Sequence, residues 1–247
     1  AKKSSITMKR LCSVCVRGDS KGVPNKNIRP LMGKPLLIHS LDQARESGLF
    51  DCIVVSSDSN EILQLAEEWG VDHAIERPEE LATDFAAKLP VIRHCFQTVE
   101  TLSGMTFDIA VDLDATSPLR NQADLKGVVD LLESHDSTTN VITGAPARRS
   151  PYFNLVELDE SGRVHLSGKR PGAMKTIVRR QDAPPCFDLN ASIYAWWRDS
   201  LLSARHVIQP KTRLYVMPEE RSVDIDSELD FRWVEFLMND QSTQNQT

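Results

Sequence analysis

The first half of the chain alternates short apolar runs with amphipathic segments. In residues 60–69, Ile62, Ala66 and Trp69 recur at helical spacing, and Gly70 follows as a stop. We predict strands at 11–16, 52–56, 73–75, 109–113 and 140–143, and helices at 35–47, 60–69, 90–102 and 123–133. Strands and helices in this order predict an α/β, Rossmann-like fold with a mostly parallel sheet and helices on both faces.

The rhythm changes after residue 146. Two apolar segments, 153–158 and 163–167, flank Glu160-Ser161-Gly162 with no helix between them, which is a hairpin signal. The simplest organisation is one domain over 8–238, with 146–180 as an antiparallel insertion and with tails at both ends (1–7 and 239–247).

Further strands are predicted at 193–197 and 214–217, and a last helix at 228–238. Asp226 or Ser227 is the expected N-cap of that helix. Four apolar side chains are expected to face inward from it: Leu229, Trp233, Phe236 and Leu237.

Composition excludes several classes of protein. The formal net charge of −6 argues against a general binder of nucleic acid or of anionic membranes. No run of about 18 apolar residues is present to span a bilayer, and the first eight residues lack the apolar core of a signal peptide. We therefore expect a cytoplasmic protein with no membrane or nucleic-acid partner.

The five cysteines give no disulfide or metal framework. Cys12 and Cys15 form a C-x-x-C, but residues three apart in a strand point to opposite faces, and no second pair follows. We expect free, buried thiols.

The loop after the first predicted strand is the first candidate site, because ligands of parallel sheets bind beyond the carboxyl ends of the strands. Residues 17–27 hold two glycines and three cations, Arg17, Lys21 and Lys26. Such a loop suits a polyphosphate, which needs point charges and backbone N–H donors. It matches neither the Walker nor the dinucleotide-binding pattern. A solvated basic turn would have the same composition.

Two pairs of carboxylates are candidate metal ligands. In the extended segment 223–226, Asp224 and Asp226 project to the same side, and a hard cation such as Mg²⁺ accepts carboxylate and phosphate oxygens. Asp112 and Asp114 end a predicted core strand and form a D-x-D. An exposed acidic turn is the plain alternative for the first pair.

Five motifs in order resemble those of the acylneuraminate cytidylyltransferases, also called CMP-sialic acid synthetases. The resemblance runs from about residue 10 to 235. The matching segments are Arg17…Ser20-Lys21-Gly22…Pro24…Lys26-Asn27, Arg77-Pro78-Glu79-Glu80-Leu81-Ala82…Asp84, Thr116-Ser117-Pro118-Leu119-Arg120, Arg180-Gln181…Pro184…Asn190 and Asp224-Ile225-Asp226…Glu228-Leu229-Asp230.

The resemblance implies a Mg²⁺-dependent homodimer that joins CMP from CTP to an acidic nine-carbon sugar, with the insertion at 146–180 used for dimerisation. It places Arg17, Lys21 and Asp226 in catalysis. The nucleotide-binding residues would be Arg17, Ser20, Lys21, Lys26 and Asn27 at the phosphates, and Arg77 and Ala86 at the cytosine and ribose. The sugar would lie near Asp114, Arg180, Asn190 and Tyr194, and magnesium on Asp224 and Asp226.

Two departures from the family pattern concern the acceptor. Many members have glutamine where this chain has Asp114, and some have arginine at the position of Asp188. Replacing an amide and a cation by carboxylates changes which sugar substituents can be satisfied. The acceptor is therefore either N-acetylneuraminate or a related nonulosonic acid of legionaminic or pseudaminic type.

Two other functions fit parts of the sequence. A nucleotide-sugar glycosyltransferase would use Asp112-Leu113-Asp114 to hold its metal, but it would not require the loop at 17–27. A sugar-nucleotide binding module would keep the loop and tolerate loss of the metal carboxylates.

Overall fold

The computed structural model describes residues 8–18, 22–82, 87–135, 137–167 and 179–244. Within these ranges there are eleven strands and six α-helices. The strands are β1 (Arg10–Cys15), β2 (Pro30–Leu31), β3 (Lys34–Pro35), β4 (Cys52–Ser57), β5 (His73–Glu76), β6 (Ile109–Leu113), β7 (Asn140–Pro146), β8 (Val156–Leu158), β9 (Val164–Leu166), β10 (Phe187–Trp197) and β11 (Thr212–Val216). The helices are α1 (Leu36–Ser47), α2 (Asn60–Trp69), α3 (Lys88–Ser103), α4 (Gln122–Glu133), α5 (Arg198–Ser203) and α6 (Glu228–Gln244).

Seven strands form one mixed sheet in the order β11-β7-β10-β6-β1-β4-β5. Strand β10 runs antiparallel to both of its neighbours, whereas the other pairings in this sheet are parallel. In the centre, Ser13 of β1 is in register with Val54 of β4 and with Asp112 of β6. The carboxyl ends of β1, β4 and β6 therefore meet at one edge of the sheet.

The sheet is covered on both faces, as the α/β pattern predicts. One hydrophobic cluster packs α1, α2 and α4 on one face, and a second packs α3 and α5 on the other. Cys12 belongs to the first cluster, while Cys15 packs against the second, so the two thiols lie on opposite faces. All five cysteines are free, but Cys15 and Cys186 are only partly buried, and the expectation of full burial is wrong for these two.

The segment after β7 contains the predicted hairpin. Strands β8 and β9 pair antiparallel across a turn in which Gly162 has a φ of 79°. The first strand of the hairpin, β8, begins at Val156 and not at 153 as predicted. Residues 150–154 instead form a turn, in which the Ser150 N–H donates to Asn154 Oδ1 at 2.7 Å. Part of the insertion, 168–178, lies outside the described residues.

Helix α6 presents a different face to the core from the one predicted. Ser227 is its cap, since Ser227 Oγ accepts from the Asp230 N–H (3.2 Å) and the Asp230 carboxylate accepts from the Ser227 N–H (2.8 Å). Among the side chains that the structure describes in this helix, Phe231 and Val234 are buried, and Leu237, which was predicted to face inward, is partly buried against the same cluster. The prediction was wrong for three residues that are about half exposed or more: Leu229, Trp233 and Phe236.

The buried face of α6 packs against both candidate segments, the loop after β1 and the acidic segment 223–226. Phe231 and Val234 pack in a third cluster with Val23 from the loop after β1 and with Ile225 from the acidic segment. Within the described ranges, no helix combines the length and apolarity needed to cross a membrane.

Candidate active site

The loop after β1 is anchored at both ends by polar contacts. The Gly18 N–H donates to Asp58 Oδ1 (2.8 Å), just beyond β4. At the other end, Asn27 is buried within the short 3-10 helix Lys26–Ile28, and its Nδ2 donates to the Arg17 carbonyl oxygen (2.9 Å). These bonds hold the two described ends of the loop near the carboxyl ends of β1 and β4, where ligands of parallel sheets bind.

The loop meets the acidic segment 223–226 directly. Lys26 Nζ donates to the Ile225 carbonyl oxygen (2.6 Å) and lies 3.6 Å from Asp226 Oδ1. Gly22 is in such close backbone contact that an added Cβ would come within 1.9 Å of the Asp226 carbonyl oxygen. Only glycine permits this approach. The structure thus brings together a basic loop and an acidic turn that are some two hundred residues apart.

In the acidic turn, a buried residue separates the two carboxylates. Ile225 is fully buried and its N–H donates to the Thr116 carbonyl oxygen (2.9 Å). Asp224 is half-buried and accepts a hydrogen bond from Thr116 Oγ1, whereas Asp226 is mostly exposed. The pKa of Asp224 is raised to about 6, mainly by burial and also by repulsion from Asp114 and Asp226. The hydrogen bond from Thr116 partly offsets this rise.

These two carboxylates fit a hard cation that a substrate also coordinates. A carboxyl whose pKa is raised by burial and by neighbouring carboxylates gains from a bound cation. In the part of the chain that the structure describes, no group of three or more His, Cys, Asp or Glu could hold a metal. Mg²⁺ commonly takes one or two carboxylates and completes its shell with phosphate oxygens and water. Asp224 and Asp226 offer that donor set.

A buried ion pair holds the segment that leads into the acidic turn. Asp124, fully buried near the start of α4, accepts from Arg221 Nε and Nη2 at 2.9 Å each. The same carboxylate also caps α4 by accepting from the Asn121 N–H (2.9 Å). Breaking such a pair leaves a buried charge without a partner. Arg221 thus positions the turn against the body of the domain.

The D-x-D at the end of β6 is occupied by a lysine. Lys88, the first residue of α3, places Nζ 2.7 Å from Asp114 Oδ2 and 3.3 Å from Asp112 Oδ2. Asp112 is fully buried and its Oδ1 accepts from Ser13 Oγ (2.7 Å). This arrangement argues against the glycosyltransferase hypothesis, because both carboxylates already have a cationic partner and one of them is closed off from solvent.

The charges of this cluster are set by burial and by one another. Burial raises the pKa of Asp114, but attraction to Lys88 and hydrogen bonds from Lys88 and Thr116 outweigh it and bring the value to about 2. For Lys88, burial lowers the pKa, and attraction to Asp114 and Asp112 more than reverses this. Burial raises the pKa of Asp112 above its usual range, with Lys88 partly offsetting it. Lys88 and Asp114 are therefore an ion pair at neutral pH.

Two residues predicted to bind substrate use their polar atoms within the protein. The Arg77 guanidinium is buried and its Nη2 donates to the carbonyl oxygens of Val16 (3.1 Å) and Ser56 (3.4 Å). Asn190 Oδ1 accepts from Thr143 Oγ1 (2.6 Å), and its Nδ2 donates to Ser222 Oγ (3.0 Å). Both side chains brace the strand ends around the site, and their direct contact with substrate stays a prediction.

The remaining predicted residues fall in three groups. Tyr194 is partly buried, and its ring lies 4.8 Å from Lys88 Nζ. Arg180 begins a 3-10 helix at Arg180–Asp182, and its side chain lies outside what the structure describes. Three others also lie outside the described residues: Ser20, Lys21 and Ala86.

A cavity of about 290 Å³ opens between the loop after β1 and the start of α2. Its lining includes Gly18, Asn27 and Ser59. Ser59 Oγ accepts from the Ile62 N–H (3.4 Å) as the cap of α2, so the cavity borders the N-terminus of a helix as well as a glycine-containing loop. Both features favour an anionic ligand, whereas two carboxylates that also line the cavity, Asp58 and Glu61, oppose one.

Comparison with known proteins defines the class that this geometry indicates. The family model for cytidylyltransferases matches residues 12–183, and the chain belongs to that family. It is a nucleotidyltransferase.

Two relatives cover nearly the whole chain. A "CMP-N,N'-diacetyllegionaminic acid synthase" of Campylobacter jejuni is 44% identical over 229 residues, which are 93% of this chain and 94% of the relative. A "post-translational flagellin modification protein B" of Campylobacter coli is 43% identical over 234 residues, 95% of this chain and 97% of the relative.

A solved structure supports the fold. The CMP:2-keto-3-deoxy-manno-octonic acid synthetase complexed with CTP superposes with a TM-score of 0.66 at 16% identity, covering 94% of this chain and 99% of that chain. At this level of identity the likeness concerns the Rossmann-like architecture alone.

Proposed function

We propose that this cytidylyltransferase transfers CMP from CTP to the anomeric hydroxyl of a nonulosonic acid and releases pyrophosphate. The observation that carries the proposal is the direct contact between the basic loop and the acidic turn, with Gly22 against Asp226 and Lys26 bonded to Ile225. Cations and cation-binding carboxylates at one strand edge are what a metal–triphosphate complex requires.

In this proposal the loop residues hold the triphosphate. Arg17, Ser20, Lys21 and Lys26 supply charge and donors to its oxygens, and Asn27 keeps the Arg17 backbone in place through its bond to that carbonyl. Asp224 and Asp226 hold Mg²⁺, which would neutralise phosphate charge and make a bound hydroxyl more acidic.

The reaction is an in-line displacement at the α-phosphorus of CTP. The anomeric oxygen forms the new P–O bond, the bond to the β-phosphate bridging oxygen breaks, and the hydroxyl proton passes to solvent or to pyrophosphate. Positioning and charge neutralisation carry most of the rate enhancement in transfers of this kind. Lys26 contributes to both, since its ammonium bridges the two segments.

We further propose an acceptor of the diacetylated legionaminic type. A relative with that acceptor in its name is 44% identical over 94% of its length. The chain also has Asp114 where the family resemblance leads one to expect glutamine, and that carboxylate is paired with Lys88. Different hydrogen-bonding side chains are expected at this position in enzymes whose sugar substrates carry different substituents.

The oligomer and compartment follow as proposals of the same kind. Strands β8 and β9 form a two-stranded hairpin with exposed apolar side chains, among them Leu158 and Val164. Such a hairpin is marginal alone, which supports a homodimer that covers it. Five free cysteines agree with a reducing cytoplasm. Sedimentation as a monomer at micromolar concentration would overturn the dimer.

One assay tests the proposed activity. The enzyme is incubated with CTP, Mg²⁺ and a panel of nonulosonic acids, and pyrophosphate is measured. We expect release that depends on the acid, on CTP and on the metal, with the diacetylated legionaminic acid among the best acceptors. A binding module would give no release with any acid, and that result would refute the proposal.

A further inference from the structure

Lys88 contacts three polar side chains, and none of the steps of the proposed phosphoryl transfer gives this lysine a role. Its Nζ lies 2.7 Å from Asp114, 3.3 Å from Asp112 and 4.8 Å from the centre of the Tyr194 ring. About a quarter of its side chain is exposed, so Lys88 is not sealed within the core. An ammonium has three hydrogens, and the two carboxylates do not use all of them.

The cluster is connected to the proposed reaction centre. Asp114 Oδ1 accepts from the N–H (3.1 Å) and the Oγ1 (2.9 Å) of Thr116. The same hydroxyl contacts Asp224, one of the proposed cation ligands. One threonine therefore separates the lysine–carboxylate pair from the metal carboxylates, and a group bound at Lys88 lies next to the atoms that react.

The charge of the cluster indicates what it can bind. Two carboxylates face one ammonium, so the cluster carries no net positive charge to offer. A phosphate or a sugar carboxylate would be repelled by Asp112 and Asp114 at short range in a partly buried site. A neutral oxygen, such as an acyl carbonyl or a hydroxyl, can accept from Lys88 without that cost, and a neighbouring N–H or O–H can donate to Asp114.

We propose that Lys88 is a specificity-determining residue for the acceptor sugar. Held by Asp114 and Asp112, it donates a hydrogen bond to a neutral oxygen of an acylamino or hydroxyl substituent, while Tyr194 forms the adjoining wall. This inference rests on the proposed function. It differs from a purely structural ion pair, which would affect folding but not the choice between acceptors.

The test compares Lys88→Met with the wild-type enzyme on two acids that differ in an acylamino substituent, N-acetylneuraminate and the diacetylated legionaminic acid. Loss of a charge-assisted hydrogen bond predicts a rise of about tenfold or more in KM for the preferred acid. KM for CTP should stay within about twofold, because the cluster does not meet the triphosphate in this proposal. The ratio of kcat/KM between the two acids should move toward one.

Two further variants keep the result interpretable. Lys126→Met removes a lysine from an exposed helical ion pair with Asp130 and should leave both KM values unchanged. If Lys88→Met fails to fold because two carboxylates lose their partner, the double variant Lys88→Met/Asp114→Asn removes one of those charges and is measured in its place.

The outcomes separate this inference from the proposed function. If the wild-type enzyme releases pyrophosphate but the Lys88 variants change KM for CTP and for the acid in equal proportion, or leave the ratio between acids unaltered, the specificity role is refuted and the activity stands. If the wild-type enzyme releases none with any acid, the proposed function fails and this inference fails with it.

Discussion

Gly22→Ala is the substitution that most directly perturbs the contact between the two halves of the site. A Cβ at this position would lie 1.9 Å from the Asp226 carbonyl oxygen, whereas real Cβ atoms essentially never approach within 3.0 Å. Because the neighbouring atoms are backbone, no side chain can turn aside to make room. The loop and the acidic turn must therefore separate by about 1 Å, and a misplacement of that size typically lowers the rate about 10²-fold.

The expected result is a loss of about 10²-fold in kcat/KM for CTP, equivalent to about 2.7 kcal/mol of transition-state stabilisation. Overpacking of this kind also costs about 1–3 kcal/mol of stability, which thermal unfolding would reveal. Pyrophosphate release at varied CTP concentration measures the kinetic effect.

Gly33→Ala is the matched control for Gly22→Ala. Gly33 has a φ of 78° and nothing within 4 Å of a built Cβ, so alanine there strains the backbone without a clash. We expect about 1 kcal/mol of lost stability and unchanged kcat/KM. Normal kinetics in Gly22→Ala, or an equal kinetic loss in Gly33→Ala, would show that the close approach to Asp226 does not matter for the reaction.

Three other substitutions test the cation site and its support. Asp226→Asn keeps the size of the side chain but removes a proposed magnesium ligand, and kcat should fall by about 10²-fold or more; turnover near the wild-type rate would refute this role. Because the pKa of Asp224 is raised to about 6, this carboxyl is protonated below that pH and a cation must displace the proton. The affinity for Mn²⁺, used as a paramagnetic probe, should thus fall about tenfold per pH unit below 6, and Asp224→Asn should remove that dependence; an equally steep fall in the variant would contradict the assignment. Arg221→Met leaves Asp124 buried without its partner and should lower stability by about 3 kcal/mol, seen as a fall in Tm of about 6–12 °C; an unchanged Tm would show that the pair is not a brace.

The parallel core could be predicted from the sequence because its signals are local. Strand β6 and helix α2 have the predicted bounds, since a short apolar run with a single carboxylate and a helical period ended by glycine are both clear local signals. Placing the loop after β1 at the sheet edge required only the rule that ligands of parallel sheets bind at the carboxyl ends of the strands.

The buried face of α6 could not be chosen from its periodicity. The helix carries two apolar stripes, one through Phe231 and Val234 and another through Leu229, Trp233 and Phe236. Both have helical spacing, and the partner surface decides which one is buried. The stripe left outside includes Trp233 and Phe236, whose rings stack with centroids 5.5 Å apart.

The role of Lys88 could not have been anticipated either. A single lysine at the start of an amphipathic helix has the composition of an ordinary solvated residue. Its partners, Asp112 and Asp114, come from the end of β6 and reach it only through the packing of α3 against the sheet. The sequence could mark the two carboxylates as unusual, but only tertiary structure shows that a cation neutralises them.

The bond from Lys26 to the Ile225 carbonyl joins residues 199 positions apart. During synthesis, the basic loop emerges from the ribosome well before its acidic counterpart. A growing polypeptide can thus assemble its seven-stranded sheet before the acidic turn that contacts the loop has been made. Abortive products that stop before residue 223 would retain the basic loop but lack the acidic turn that contacts it.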